Sequence, residues 1–437
     1  MDADTASGAV PLRTRYALFS LFSITADFVY GAVFVTVLLN RGVEPWALGS
    51  MLAANIALGM VLEAPSGALG DRYGHRRLLC AGLAAWGVGF AVFGGAEGIA
   101  ATVLGLAVGV CGHSLQSGTL TAIVVNRIGD HDRGRRVRSA VRLGQVAARG
   151  GSVLGAASVL VGGSWAGAGT LVVAAGALLL VLAALTPLCF PADRRRPGHS
   201  SVLAILRESV ATIASRRFRP LVCLAVSTGV VMATLIMAWQ PLLLAAHGED
   251  VRRNGLVLLA MTLGLMAGAA CSRFTDRLRP QVWGPVFAMA TGAPLVLLAF
   301  GWLPLVPGLV VAEFFLGVTG VLSAAWQQLM FSDANRNTMF SAMAVVSGVT
   351  YAATQWSFGW LWELGGIPVT ISVLVGASTA VALLTPLSAR LYAEPVRAES
   401  TPDESSPGES SPSESTPGEP PSVEPRTADP RAGEHPG

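Results

Sequence analysis

The chain has no lysine among its 437 residues, and charged residues make up only 13% of it. Soluble domains carry roughly 25%, so there is too little charge to cover the surface of a water-soluble globule. Without lysine there is no G-x-x-x-x-G-K-[ST] loop, which disfavours a nucleotide-powered machine. The five cysteines, Cys80, Cys111, Cys189, Cys223 and Cys271, are scattered and form no C-x-x-C pair. That argues against a zinc site or a disulfide framework. The six histidines cluster with no nucleophile, which leaves a membrane enzyme with little to work with. The 50 glycines have no fixed period, so collagen-like repeats are excluded. What remains is apolar. Hydrophobic residues reach 52% and mean hydropathy is +0.56, the composition of a polytopic membrane protein.

Runs of about 20 apolar residues cross a bilayer as helices. Twelve are expected, at 16–39, 46–69, 78–96, 100–125, 141–163, 166–189, 220–245, 255–272, 281–303, 305–330, 338–361 and 367–389. The expected organisation is an N-terminal segment 1–15, a six-helix half 16–189, a linker 190–219, a second six-helix half 220–392 and a tail 393–437. The first run is too long for a signal-peptide core and no small-residue cleavage site follows it, so it reads as an uncleaved anchor. With the N-terminus cytoplasmic, 23 of the 27 arginines in 1–392 fall on the cytoplasmic side. The positive-inside rule then puts both termini in the cytoplasm. In the linker, Val202, Ile205, Leu206, Val210 and Ile213 have the spacing of an amphipathic interfacial helix. The tail places an acidic residue every five positions from Glu399 to Glu434 among Ser, Thr, Pro and Gly. It lacks the apolar residues needed to order itself.

The most informative stretch joins the second and third runs: Gly67-x-x-x-Asp71-Arg72-x-Gly74-x-Arg76-Arg77. It is a tight turn in which Gly74 permits a positive φ, and it sets an acid among arginines at a membrane face. This stretch resembles the signature loop of the major facilitator superfamily and stands where that family carries it. A weak echo, Ser272-Arg-Phe-Thr-Asp276-Arg277-Leu-Arg279, follows 205 positions later without the glycines, and Ser139-Ala140 is echoed at Ser341-Ala342. Offsets near 200 suit two parallel six-helix repeats. The resemblance covers residues 10–392. It implies an all-α fold of twelve transmembrane helices in two pseudo-repeats, a secondary transporter working by alternating access. It also implies that Gly67, Asp71, Arg72, Gly74, Arg76 and Arg77 form a conformational latch. The fifth run has Gly151-x-x-x-Gly155 and Gly162-Gly163 but no proline, so the antiporter motif of the family's drug exporters is incomplete.

Ionisable residues at membrane depth are functional candidates by default. Asp27 lies at the centre of the first run, on one helix face with Ser23, Tyr30 and Phe34. Ionisation there is costly, so Asp27 is a candidate proton carrier. Arg149, in the fifth run, needs an acid partner or an anionic ligand, and Asp27 is the partner expected. Glu313, in the tenth, is the candidate for coupling or a cationic substrate in the second half. A wider set of expected cavity-lining residues comprises Tyr30, His113, Gln116, Trp239, Gln240, Gln327, Gln328, Tyr351 and Gln355.

The function expected is movement of a small organic molecule across the cytoplasmic membrane, with proton-coupled efflux favoured over uptake by symport. A polytopic membrane enzyme and a transporter-like sensor are the weaker alternatives. No cofactor and no nucleic acid are expected. The partners are the lipid bilayer, a small-molecule substrate and protons, and the chain is expected to act as a monomer.

Overall fold

The computed structural model describes residues 11–391 apart from 129–131, 192–214, 276 and 332–335; it describes no side chains at 64–68, 71, 336–338, 390 and 391. The amphipathic segment expected within 190–219, the acidic tail and Asp276 therefore lie wholly or largely outside the described residues. Among those residues every regular element is helical. In chain order these are α1 (Leu12–Asn40), α2 (Pro45–Tyr73), α3 (His75–Gly95), α4 (Ile99–Gln116), α5 (Thr119–Val125), α6 (Arg133–Gly162) and α7 (Ala168–Cys189). A short 3-10 turn, Arg216–Phe218, leads into α8 (Arg219–His247), α9 (Val251–Cys271), α10 (Pro280–Ala299), α11 (Leu305–Met330) and α12 (Arg336–Leu391).

Ten described helical stretches are long and apolar enough to cross a membrane. One of them, Met339–Ala389, has 51 residues, far more than the 20 or so that one crossing needs. It breaks at Gly366, which takes φ 75° and ψ 172°. The sequence reading divides the same stretch between 361 and 367. Helix α6 is not among the ten. It has 30 residues but starts with a run of arginines, so it is long enough without being uniformly apolar.

Two groups of helices each pack together, and α12 and α9 of the second also lie against α2 and α6 of the first. In the first, α1 lies against α6 and α7, α3 against α4 and α7, and α2 against α4. In the second, α8 and α10 pack against α12, and α11 against α9 and α10. Lipid gives helices little hydrophobic reason to associate, so close approach at small residues does much of the work. A Cβ built on Gly105 would lie 2.6 Å from the Phe93 nitrogen, and one on Gly94 would lie 2.5 Å from the Gly169 carbonyl.

Arginine side chains close helix ends at both faces of the bundle. The terminal carbonyls of a helix lack partners within it and carry partial negative charge. Arg41, half-buried in the α1–α2 connection, donates to the carbonyls of Phe93 at 2.7 Å and Gly94 at 3.1 Å, and to the Thr102 hydroxyl at 2.9 Å. This accounts for an arginine on the face that otherwise has few. At the arginine-rich face, Arg15, Arg76 and Arg127 donate to the carbonyls of Cys189, Phe190 and Pro191, at the end of α7. Arg41→Ala is expected to cost about 1.5–3 kcal/mol, the worth of hydrogen bonds from a charged group. A melting temperature in detergent equal to that of the wild type would show that water caps α3 equally well.

Candidate functional site

The two groups of helices meet along a seam at the end of the bundle that carries the α1–α2 connection. Gln240 of α8 donates from Nε2 to the Gly31 carbonyl at 2.9 Å. Its Oε1 accepts from the Thr36 backbone N–H at 3.0 Å and from the Thr36 hydroxyl at 3.1 Å. Asn254 of α9 donates to the Ala32 carbonyl at 2.9 Å and to Thr36 Oγ1 at 3.0 Å. Beside these bonds the backbones nearly touch. A Cβ on Gly49 of α2 would lie 2.9 Å from Gly359 Cα, and one on Gly255 of α9 would lie 2.7 Å from Leu160 Cα of α6. At mid-depth the Cβ of Gly348 would lie 2.9 Å from Met60 Cγ. Gln240, expected in the cavity lining, is thus buried within the seam, and Trp239 beside it is buried as well.

At the opposite end, Gly74 takes φ 93°. It is the single residue between α2 and α3, so the motif is a one-residue joint. Arg72 lies on the last turn of α2, and Arg76 and Arg77 on the first turn of α3. Asp71 and Gly67 belong to the backbone of α2, and their side chains are outside the description. A Cβ on Gly70 would lie 2.5 Å from His75 Nδ1, which makes Gly70 a close-packing glycine that the motif reading passed over.

Within the first half, α1 to α4 enclose a cavity of about 180 Å³ into which Asp27, Tyr30, Asn55, Trp86, Phe90 and His113 project. Asp27 is half-buried and His113 exposed, and the two are the acid and the imidazole among the residues lining the cavity. The Asn55 Oδ1 is buried and has no hydrogen-bond partner. Aromatic rings set the wall. Tyr30 stacks on Phe90 at 4.5 Å between centroids, and Trp86 meets His113 edge-on at 4.9 Å. The site therefore holds an acid, a base and an open acceptor against a rigid aromatic face.

Arg149 is not part of this group. Helix α6 touches α1 through Tyr16, Leu21, Ile24, Thr25 and Phe28, whereas Asp27 lines the cavity shared with α2, α3 and α4. Arg149 is exposed on α6, so the pairing expected from sequence is absent in this structure. Glu313 sits apart in the second half, 9% exposed, with Oε2 buried and unpartnered. Gln355 is buried too, with Oε1 unpartnered, and its backbone carbonyl meets Gly49. Tyr351, Gln116 and Gln327 are half-buried, and Gln328 is exposed. Asn55, Trp86, Asn254 and Thr36 were missed in the sequence. The two asparagines were legible as amides inside apolar runs, but the partners of Asn254 were not.

The sequence profile described as Major Facilitator Superfamily matches residues 16–354. The chain belongs to the major facilitator superfamily. It is a multi-span membrane transporter by that membership, and solved transporters share its fold. The nucleoside transporter NupG superposes with a TM-score of 0.72 at 11% identity, covering 87% of this chain and 99% of NupG. PepTSo, a POT family transporter, gives 0.68 at 13% identity over 87% and 98% of the two chains. A bacterial homolog of the human lysosomal transporter Spinster, solved inward-facing and unoccupied, gives 0.64 at 14% over 88% and 96%. At such identities the likeness is one of fold. No curated protein matches the chain significantly.

Proposed function

We propose that this member of the superfamily is a secondary active transporter that exports a small organic molecule in exchange for protons. The observation that supports this reading is the Asp27 cavity, where a carboxyl, an imidazole and an unpartnered amide oxygen share one space at mid-helix. Such a group can hold a proton without a permanent ion partner. Export and uptake would use the same residues, and export is our choice on the strength of acids in both halves, Asp27 and Glu313.

In this reading the halves 16–189 and 220–392 rock against each other as twelve spans, counting α6 and both limbs of α12. The arginine-rich face is cytoplasmic, as the positive-inside rule expects, and both termini lie there. The seam at Gln240, Asn254 and Gly49 is then the closed outer gate, and the Asp71 turn is the latch of the opposite state. The acidic tail is dispensable for transport, and the protein works as a monomer in the cytoplasmic membrane.

Two measurements test this. Cysteines placed at Glu249 and Arg195 should label from opposite sides of the membrane; labelling from one side overturns the topology. In proteoliposomes, an imposed pH gradient should drive movement of one member of a compound panel against its own gradient. Movement that ignores the pH gradient sinks proton coupling, and accumulation on the more alkaline side turns export into uptake.

A further inference from the structure

Helix α6 carries six arginines and no acidic residue over Arg133–Gly162. Three of them fall on one strip. Arg138, Arg142, Arg149, Ala156 and Leu160 lie within about 40° of one another around the helix, at 100° per residue. The upper part of this strip is the seam. Ala156 is fully buried, and Leu160 meets Gly255 of α9. The strip therefore faces the other half of the protein and not the lipid. The lipid has its own strip on α6, made by the exposed Leu143, Leu154 and Val161, about 130° away on the same count.

Below Ala156 the halves part. Arg138, Arg142 and Arg149 are all exposed, with Gln145 beside them. Arg149 is the last exposed residue before the strip seals. It is about 24 Å along the helix from Arg133, at 1.5 Å per residue. The face of α9 that continues from Gly255 runs through half-buried Leu259, at the level of Ala156, and buried Thr262 to half-buried Met266, which is the residue that faces the cleft. Thr262 spends its hydroxyl on the Leu258 carbonyl at 2.7 Å. Helix α9 has no acidic residue over Val251–Cys271 either. The cleft wall is thus a row of guanidiniums facing an apolar surface, with no carboxylate on either helix to neutralise it. Other acids stand at this end: Asp132 just before α6, and Glu63 and Asp71 on α2.

We propose that the transported molecule is an organic anion, a carboxylate or phosphate on an apolar skeleton. It is drawn past Arg138 and Arg142 and held at Arg149 while its skeleton rests on the apolar α9 wall at Met266. Guanidinium groups suit planar, bidentate recognition of either anion. The proposal rests on the transporter reading, and it keeps the anion site separate from the proton site at Asp27.

The test uses the full chain in neutral detergent with four probes on one skeleton: 2-naphthoate, 2-naphthyl phosphate, 2-naphthylmethylamine and 2-naphthylmethanol. Binding is followed by tryptophan fluorescence. One or both anions should bind, and the amine and alcohol should bind at least roughly tenfold more weakly, as expected for loss of a charge-assisted contact. Which anion binds separates carboxylate from phosphate. Arg149→Gln should weaken the anion roughly tenfold or more, and Arg149→Lys should recover part of it, with unchanged elution and melting temperature in both variants. Equal affinity for all four probes, preference for the amine, unchanged affinity in Arg149→Gln or no anion binding at millimolar concentration would each overturn the proposal. Stabilisation by phosphatidylglycerol with no binding of either naphthyl anion would overturn it in favour of a lipid contact. Flux of the bound anion in proteoliposomes is read separately, so binding without flux removes the transporter reading and leaves the anion site standing.

Discussion

Asp27→Asn is expected to abolish the dependence of transport on the pH gradient while substrate binding stays within a few-fold of wild type. Asp27 is the sixteenth of the 29 residues of α1, too far from either helix end for its short side chain to reach water outside the bundle. A carboxylate left ionised and alone at that depth would cost at least about 2.5 kcal/mol on insertion scales. The structure supplies two ways to lower that cost. His113 lines the same cavity as a candidate proton partner, and the cavity gives Asp27 room for water. Asparagine keeps the shape and loses the proton. His113→Gln should displace the pH profile of transport without abolishing gradient dependence, because it removes a neighbour and not the carrier. Tyr30 should tolerate phenylalanine, because its ring stacks on Phe90. If Asp27→Asn transports at the wild-type rate with the same gradient dependence, coupling must move to Glu313 or be abandoned.

Gly49→Leu should reduce transport by tenfold or more and expose the cleft from the other face. The Gly49 Cβ position lies 2.9 Å from both Cα and N of Gly359. The obstacle is backbone, which cannot swing aside as a side chain could. Overpacking of this kind costs about 1–3 kcal/mol. A few kcal/mol moves a two-state equilibrium by one to two orders of magnitude. The gate would then close poorly and the opposite state would dominate. Spin labels across the seam should report a longer distance in the variant. An unchanged distance with normal flux would mean that the seam does not close during the cycle.

The helices were legible because apolar runs and arginine placement report directly on a bilayer. The division of the long C-terminal stretch near Gly366 could be read from its glycine pair, and the joint at Gly74 from its motif. The site was legible only in part. Asp27, Tyr30 and His113 stood out as polar groups in apolar runs, and the structure puts them in one cavity. Their depth was predictable, but the face each helix turns to its neighbours was not. For that reason Arg149 was matched with Asp27, although α1 presents Thr25 and Phe28 to α6 and keeps Asp27 for α2, α3 and α4. Gln240 reads as a lining residue because its amide is polar and lies in an apolar run. Only the partners at Gly31 and Thr36 show it to be a fastener.

Helix α1 runs unbroken from Leu12 to Asn40. It carries both the acid at position 27 and the hydroxyl at position 36. The two are separated by about 13.5 Å along the axis, at 1.5 Å per residue. An intact helix behaves as a strut. A tilt of about 5° pivoting at the level of Asp27 carries Thr36 sideways by about 1 Å at that rise per residue. Bonds of 3.0 and 3.1 Å to Gln240 do not survive such a displacement. In the proposed cycle, a proton arriving at the pivot would be felt at the gate through the stiffness of one rod, with no relay of side chains between them.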